Sequence, residues 1–276
     1  MRSIGLISRA RAIDFCDGGN QMRKQASVNK IAWEYRAYEH LKNQNGSPAE
    51  KALSLKSDPL ADFRYHKKYF ENVNGKKIAI ICGASGRKAV PLAMLGATVS
   101  VFDLSEENQR YALELAEEAG VHIQYVLGDF CEANLDEHGE KFDIVFGERG
   151  VIHYFSEINV FAKVLYSITK KNGMLILSDF HPYKKINSSG SDSKVCVPQT
   201  EGNYFDTRLH SVNVAYQNFF PICEQELFPT CLQRYYNLSE IINAIIDSGF
   251  LLKKFLEHPY KKDTKIPEAF TIIAYK

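Results

Sequence analysis

Three short stretches of this chain combine residue types that can do chemistry. In Cys82-Gly83-Ala84-Ser85-Gly86-Arg87, small residues separate an apolar run from a helical one. Small residues let the backbone approach a ligand, and the amides that open a helix offer unpaired N–H groups to polar or anionic atoms. Taken alone, a tight turn with no ligand is the plainer reading. Asp103 follows Gly83 by twenty residues, at the end of the next apolar run. A carboxylate there can accept hydrogen bonds from both hydroxyls of a ribose, and a helix cap or surface acid is the alternative. In Gly128-Asp129-Phe130, a carboxylate able to accept from an exocyclic amine precedes a ring able to stack on a base. A polar loop with a core phenylalanine is the competing reading. Glu148 and Arg149 add two opposite charges in Gly147-Glu148-Arg149-Gly150-Val151-Ile152-His153-Tyr154. His153 has the chemistry of a base, although a histidine on an apolar stretch is more often structural. His181 and His210 are further base candidates, and none of the three can be assigned, because a base needs hydrogen-bond reach to its substrate.

The elements that must position these residues follow from the apolar pattern. Ile78–Ile81 is a continuous apolar run, as in a strand buried on both faces. Further strands are expected at Thr98–Phe102, Ile123–Leu127, Phe142–Phe146 and Gly173–Leu177, alternating with helices. The helices are marked by Ser105 as an N-cap and by glycines 96 and 120 at helix ends. This alternation predicts a parallel, doubly wound sheet with right-handed crossovers. Ligands of such sheets bind beyond the carboxyl ends of the strands, where all three stretches fall. Residues 27–70 read as helices able to fold back over that edge, with Ile31, Tyr35 and Tyr38 along one face and Ser47-Pro48 opening a helix. Residues 181–236 lack a clear period and read as an insertion. A helix near 238–248 and strands at Leu251–Glu257 and Ala269–Tyr275 close the chain, the last two as an antiparallel hairpin.

The series IICGASGR, VSVFDLS, YVLGDF, FDIVFGERGVIHYF and GMLILSDFHP, with the terminal hairpin, resembles the class I S-adenosylmethionine-dependent methyltransferases. The resemblance covers about residues 60–180 and 238–276. It implies a Rossmann-like α/β fold in which residues 1–75 form an arm and helical cap and residues 76–276 the catalytic domain, with a substrate cap at about 181–236. It further implies S-adenosylmethionine as cofactor. Gly83, Ala84, Ser85 and Gly86 are then expected at its methionine end, Asp103 and Leu104 at the ribose, Asp129 and Phe130 at the adenine, and Glu148 and Arg149 near the methionine and acceptor side. Trp33, Tyr35, Tyr65 and Tyr154 are candidates for an aromatic wall around the sulfonium. The turn departs from the family's pattern, which has an acid in the strand and three glycines. Here Ile80, Cys82, Ala84 and Gly86 hold those positions, with Gly83 offset by one. Two other readings therefore stand beside the enzyme: a binding protein that has lost catalysis, and a nicotinamide-dependent oxidoreductase, which shares the Gly83-to-Asp103 spacing but needs a GxGxxG turn absent here.

Composition narrows the partners. A net charge of +1 with only short basic clusters, such as Lys184-Lys185, argues against a nucleic-acid track and for a small-molecule acceptor. No apolar run is long enough to span a bilayer. The six scattered cysteines form no CxxC pair, which suits a reducing, cytoplasmic setting. Cys196, His210, Cys223 and Cys231 match no zinc spacing, so no metal is expected. Met1–Ala12, with three arginines and no acid, weakly resembles a transit peptide and reads as a loose arm. Nothing in the chain fixes its oligomeric state.

Overall fold

A computed structural model of the protein describes residues 18–183 and 202–276. The arm residues 1–17, with Cys16, and the segment carrying Lys184-Lys185 and Cys196 lie outside the described residues. Nine strands are present among them: β1 (Lys77–Ile81), β2 (Thr98–Asp103), β3 (Gln124–Leu127), β4 (Phe142–Glu148), β5 (Thr169–Phe180), β6 (Leu209–Asn213), β7 (Thr230–Arg234), β8 (Leu251–Pro259) and β9 (Pro267–Tyr275). Seven form one sheet in the order β3-β2-β1-β4-β5-β9-β8, and β6 and β7 form a separate antiparallel pair. Strands β1 to β5 run parallel, while β9 lies antiparallel between β5 and β8. The strand order reverses between β1 and β4, which opens a crevice at their carboxyl ends.

The helices are α1 (Gly18–Glu34), α2 (Ala37–Asn45), α3 (Pro48–Ser57), α4 (Ala89–Met94), α5 (Glu106–Ala119), α6 (Leu135–His138), α7 (Ile158–Ile168), α8 (Ile222–Gln225) and α9 (Leu238–Asp247). Two apolar cores cover the two faces of the sheet, one with α3, α4 and α5, the other with α7 and α9. Helix α5 buries Tyr111, Ala112, Leu115 and Ala116, and the Ser105 hydroxyl caps it by accepting from Asn108 N at 3.1 Å. Helix α3 begins with a capping box: Ser47 Oγ accepts from Glu50 N, and Glu50 accepts from Ser47 N. A Ser47→Ala variant is expected to lose about 1 kcal/mol, read as a lower urea midpoint.

A third core joins the amino-terminal helices to the insertion. Ala32, Ala37, Val214, Tyr216, Phe220, Phe228 and Cys231 pack together. Asn29 pairs with the backbone of Leu232 in both directions, its Oδ1 accepting at 2.7 Å and its Nδ2 donating at 3.0 Å. Buried Gln25 donates to Leu232 O and to His153 O. Glu34 accepts from the amides of Glu106 and Glu107 and so caps α5 from outside, where a helix N-terminus favours negative charge. Helix α1 is thereby held across the crevice. The expected common face of Ile31, Tyr35 and Tyr38 does not form. Arg36 takes a left-handed φ of 56° and breaks the helix, leaving Ile31 exposed while Ala32 and Trp33 turn inward. No helix among the described residues is long and apolar enough to cross a membrane.

Candidate active site

A cavity of about 240 Å³ opens at the carboxyl ends of β1, β2, β3 and β4. Its walls include Gly83, Ala84, Ser85, Asp103, Leu104, Asp129, Phe130, Glu148 and Arg149, nine of the ten residues expected there. Gly86 is the exception. It does not line the cavity; a Cβ on it would stand 2.9 Å from Ala112 Cβ, and its φ is +71°, so it serves the packing of the turn against α5. Gly83 also answers to packing, since a Cβ there would meet Val101 Cγ1 at 2.7 Å.

The turn is held in an uncommon conformation. Cys82 and Ala84 have φ of 51° and 41°, positive values that L-residues rarely adopt. The Ala84 peptides are fastened on both sides: Ala84 N donates to Asp103 Oδ2 at 2.9 Å, and the Tyr125 hydroxyl donates to Ala84 O at 3.0 Å. Asp103 Oδ1 accepts from Ser105 N and Asn108 Nδ2. The Leu104 backbone adds a further hydrogen bond, so the Asp103 carboxylate is held by four donors of the chain. Asp129 gives Oδ1 to Cys131 N, and its Oδ2 takes no partner among the described residues. Burial pushes the carboxyls of both Asp103 and Asp129 above their ordinary range, against the hydrogen bonds that lower them. Two half-buried acids therefore border one hollow. The Phe130 ring borders that hollow but is packed edge-on against Phe102 and Phe161.

Glu148, at the end of β4, joins this cavity to a smaller one. Its Oε2 lies 3.3 Å from His66 Nδ1 and 3.2 Å from Lys88 Nζ. His66 Nε2 contacts Thr271 Oγ1 at 3.1 Å, as does His258 Nε2 at 2.8 Å. Ser178 donates its only hydroxyl hydrogen to Phe270 O, so Thr271 must donate to Ser178. Both histidines therefore donate from Nε2, and His66 Nδ1 faces the Glu148 carboxylate. Burial raises the Glu148 carboxyl, but His66 and Lys88 outweigh it and hold it below its usual value. At Lys88 burial prevails over Glu148 and lowers the ammonium. A carboxylate with a depressed folded pKa contributes stability above its ordinary pKa, and that stability is lost as pH falls through the depressed value. Glu148→Gln is thus expected to be less stable than the parent at pH 7, with the gap closing below about pH 4. Thermal unfolding followed across pH checks this.

The loop after β4 is organised by Asp179, which is 4% exposed. Its Oδ1 accepts from Gly150 N and Phe180 N, both at 2.7 Å, and its Oδ2 from Val151 N and Ile152 N, both at 2.8 Å. The three histidines proposed as bases lie elsewhere. His153 is buried against Tyr154 and borders a minor cavity with Phe180 and Tyr235. His181 stands 2.9 Å from Glu257 and accepts from Tyr183 N. His210 stacks on Tyr235 and approaches Asp206. None lines the main cavity. Of the aromatic candidates, Trp33 and Tyr154 line it as an edge-on pair 5.6 Å apart. Tyr35 packs on Phe228, and Tyr65 stacks on His258 beside the smaller cavity. Among the described residues no group of three or more His, Cys, Asp or Glu is placed to hold a metal.

Known proteins share parts of this sequence and its fold. Residues 79–177 match the model of a methyltransferase domain. Over 239 residues the chain is 24% identical to the uncharacterized methyltransferase YbaJ of Bacillus subtilis, spanning 82% of each protein. Over 97 residues it is 37% identical to a ubiquinone biosynthesis O-methyltransferase of Methylobacterium nodulans, covering 35% of this chain and 37% of that one. Magnesium protoporphyrin IX methyltransferase from Synechocystis PCC 6803, solved with bound S-adenosylhomocysteine, shares the fold at a TM-score of 0.56 and 15% identity, over 91% of this chain and 99% of that one.

Proposed function

We propose that the chain, whose residues 79–177 match the model of a methyltransferase domain, is a class I S-adenosylmethionine-dependent methyltransferase that methylates a small-molecule acceptor bound beyond the carboxyl ends of β4 and β5. The observation that carries this reading is the pair of acids lining one cavity beyond β2 and β3, with Asp129 Oδ2 free of partners among the described residues. That donor set fits the cofactor. Asp103 would hold the ribose hydroxyls, Asp129 the adenine amine, and the Gly83–Ser85 backbone the methionine end, with Leu104 and Phe130 as apolar walls. The cofactor supplies a methyl already activated on a sulfonium, whose leaving group is neutral.

The chain's own residues then position and exclude. Trp33 and Tyr154 line the cavity, and aromatic rings there would favour a positive charge. Helix α1 contributes Ala26, Asn29 and Trp33 to the cavity wall, where they would help to keep water from the reacting atoms. Glu148, held as a carboxylate between His66 and Lys88, supports the wall between cofactor and acceptor sides. The partial likeness to ubiquinone biosynthesis O-methyltransferases supports a small acceptor, as does a net charge of +1, which is poorly suited to nucleic acid.

Calorimetric titration tests the reading. Saturable binding of S-adenosylmethionine and S-adenosylhomocysteine, with no heat from NAD, is the expected result. Binding of NAD, or of neither, overturns it.

A further inference from the structure

The smaller cavity, bordered by Arg64, His66, Glu148, Arg149, Asp179 and Glu268 among others, shares Glu148 and Arg149 with the main one. Among the described residues, Arg23, Arg36, Arg87, Arg110, Arg208 and Arg234 each pair with a carboxylate. Arg64 and Arg149 are the two that do not, and both line this cavity. Both also have positive φ, 47° and 62°. Such backbone conformations are uncommon for residues other than glycine and concentrate where a ligand is gripped. The acids nearby do not answer the two guanidiniums. Glu148 is engaged by His66 and Lys88, and Asp179 by four backbone amides. Only Glu268 remains at the rim.

We propose that Arg64 and Arg149 form an oxyanion site and that the methyl acceptor carries a carboxylate or phosphate group which they bind. This inference rests on the methyltransferase reading of the main cavity. The planar guanidinium fork matches both groups and is fully charged at any working pH. An anionic group anchored there places the rest of the acceptor across Glu148 and Arg149, at the mouth of the cofactor cavity.

The test follows the arginine Nε–H signals of ¹⁵N-labelled protein saturated with S-adenosylhomocysteine. Sodium acetate or inorganic phosphate is added against sodium chloride at matched ionic strength, and the signals are assigned with R64K and R149K. Expected are saturable shifts at Arg64 and Arg149 and none at Arg208. The oxyanion that saturates at lower concentration identifies the acceptor's group. R64Q should weaken that binding at least fivefold, and E268Q should strengthen it. Shifts that merely follow ionic strength, or undiminished binding in R64Q with the rest of its spectrum intact, overturn the proposal. Failure of S-adenosylhomocysteine to bind the parent protein would instead remove the reading beneath it.

Discussion

Asp103→Ala will lower affinity for S-adenosylhomocysteine about a hundredfold, roughly 2.7 kcal/mol, the scale of hydrogen bonds from two hydroxyls to a charged acceptor. Part of the loss will come from the turn, because Ala84 N also donates to this carboxylate. Asp103→Asn separates the two contributions. It keeps an oxygen for the turn but halves the acceptor capacity and removes the charge, and a loss of about tenfold is expected. Burial raises the Asp103 carboxyl in the free protein. As pH falls, the parent will therefore lose affinity at a higher pH than an ordinary aspartate would impose, and the Asn variant will not share that dependence at this group. Calorimetry across pH reads both effects. An Ala variant within twofold of the parent would remove Asp103 from the ribose.

The second large effect concerns stability. Asp179→Ala leaves four backbone N–H groups without their acceptor at a buried site, and water can satisfy only some of them. A loss of about 4 kcal/mol is expected in urea unfolding. Asp179→Asn preserves the volume but turns an amide toward donors that need an acceptor, so it too will lose stability, by about 2 kcal/mol. A change under 1 kcal/mol in both variants would show that the loop after β4 is held by its apolar contacts alone.

Much of this was legible in the chain. The continuous apolar run at Ile78–Ile81 reveals a strand buried on both faces, and parallel register then brings Ile81, Phe102 and Gly147 to one edge. Any acid just beyond those positions must reach the same crevice, which is why Asp103, Asp129 and Glu148 could be chosen without coordinates. What escaped depends on contacts between distant segments. His66 reaches Glu148 across 82 positions, from a 3-10 segment whose kink at Arg64 no local pattern announces. Lys88 follows the turn directly, but its partner lies on another strand. Asp179 stands inside the quoted GMLILSDFHP stretch, and its task, capping the loop after a neighbouring strand, leaves no periodic trace. Gly86 misled for the opposite reason: glycine signals close approach but not which neighbour approaches, and here it is Ala112.

A crystal structure of the S-adenosylhomocysteine complex tests the central claim most directly. The ribose hydroxyls are predicted within hydrogen-bond distance of Asp103 and the adenine amine within reach of Asp129, with the thioether sulfur beside Trp33 and Tyr154. A nucleoside bound elsewhere, or seated here with either aspartate turned away from it, contradicts the account.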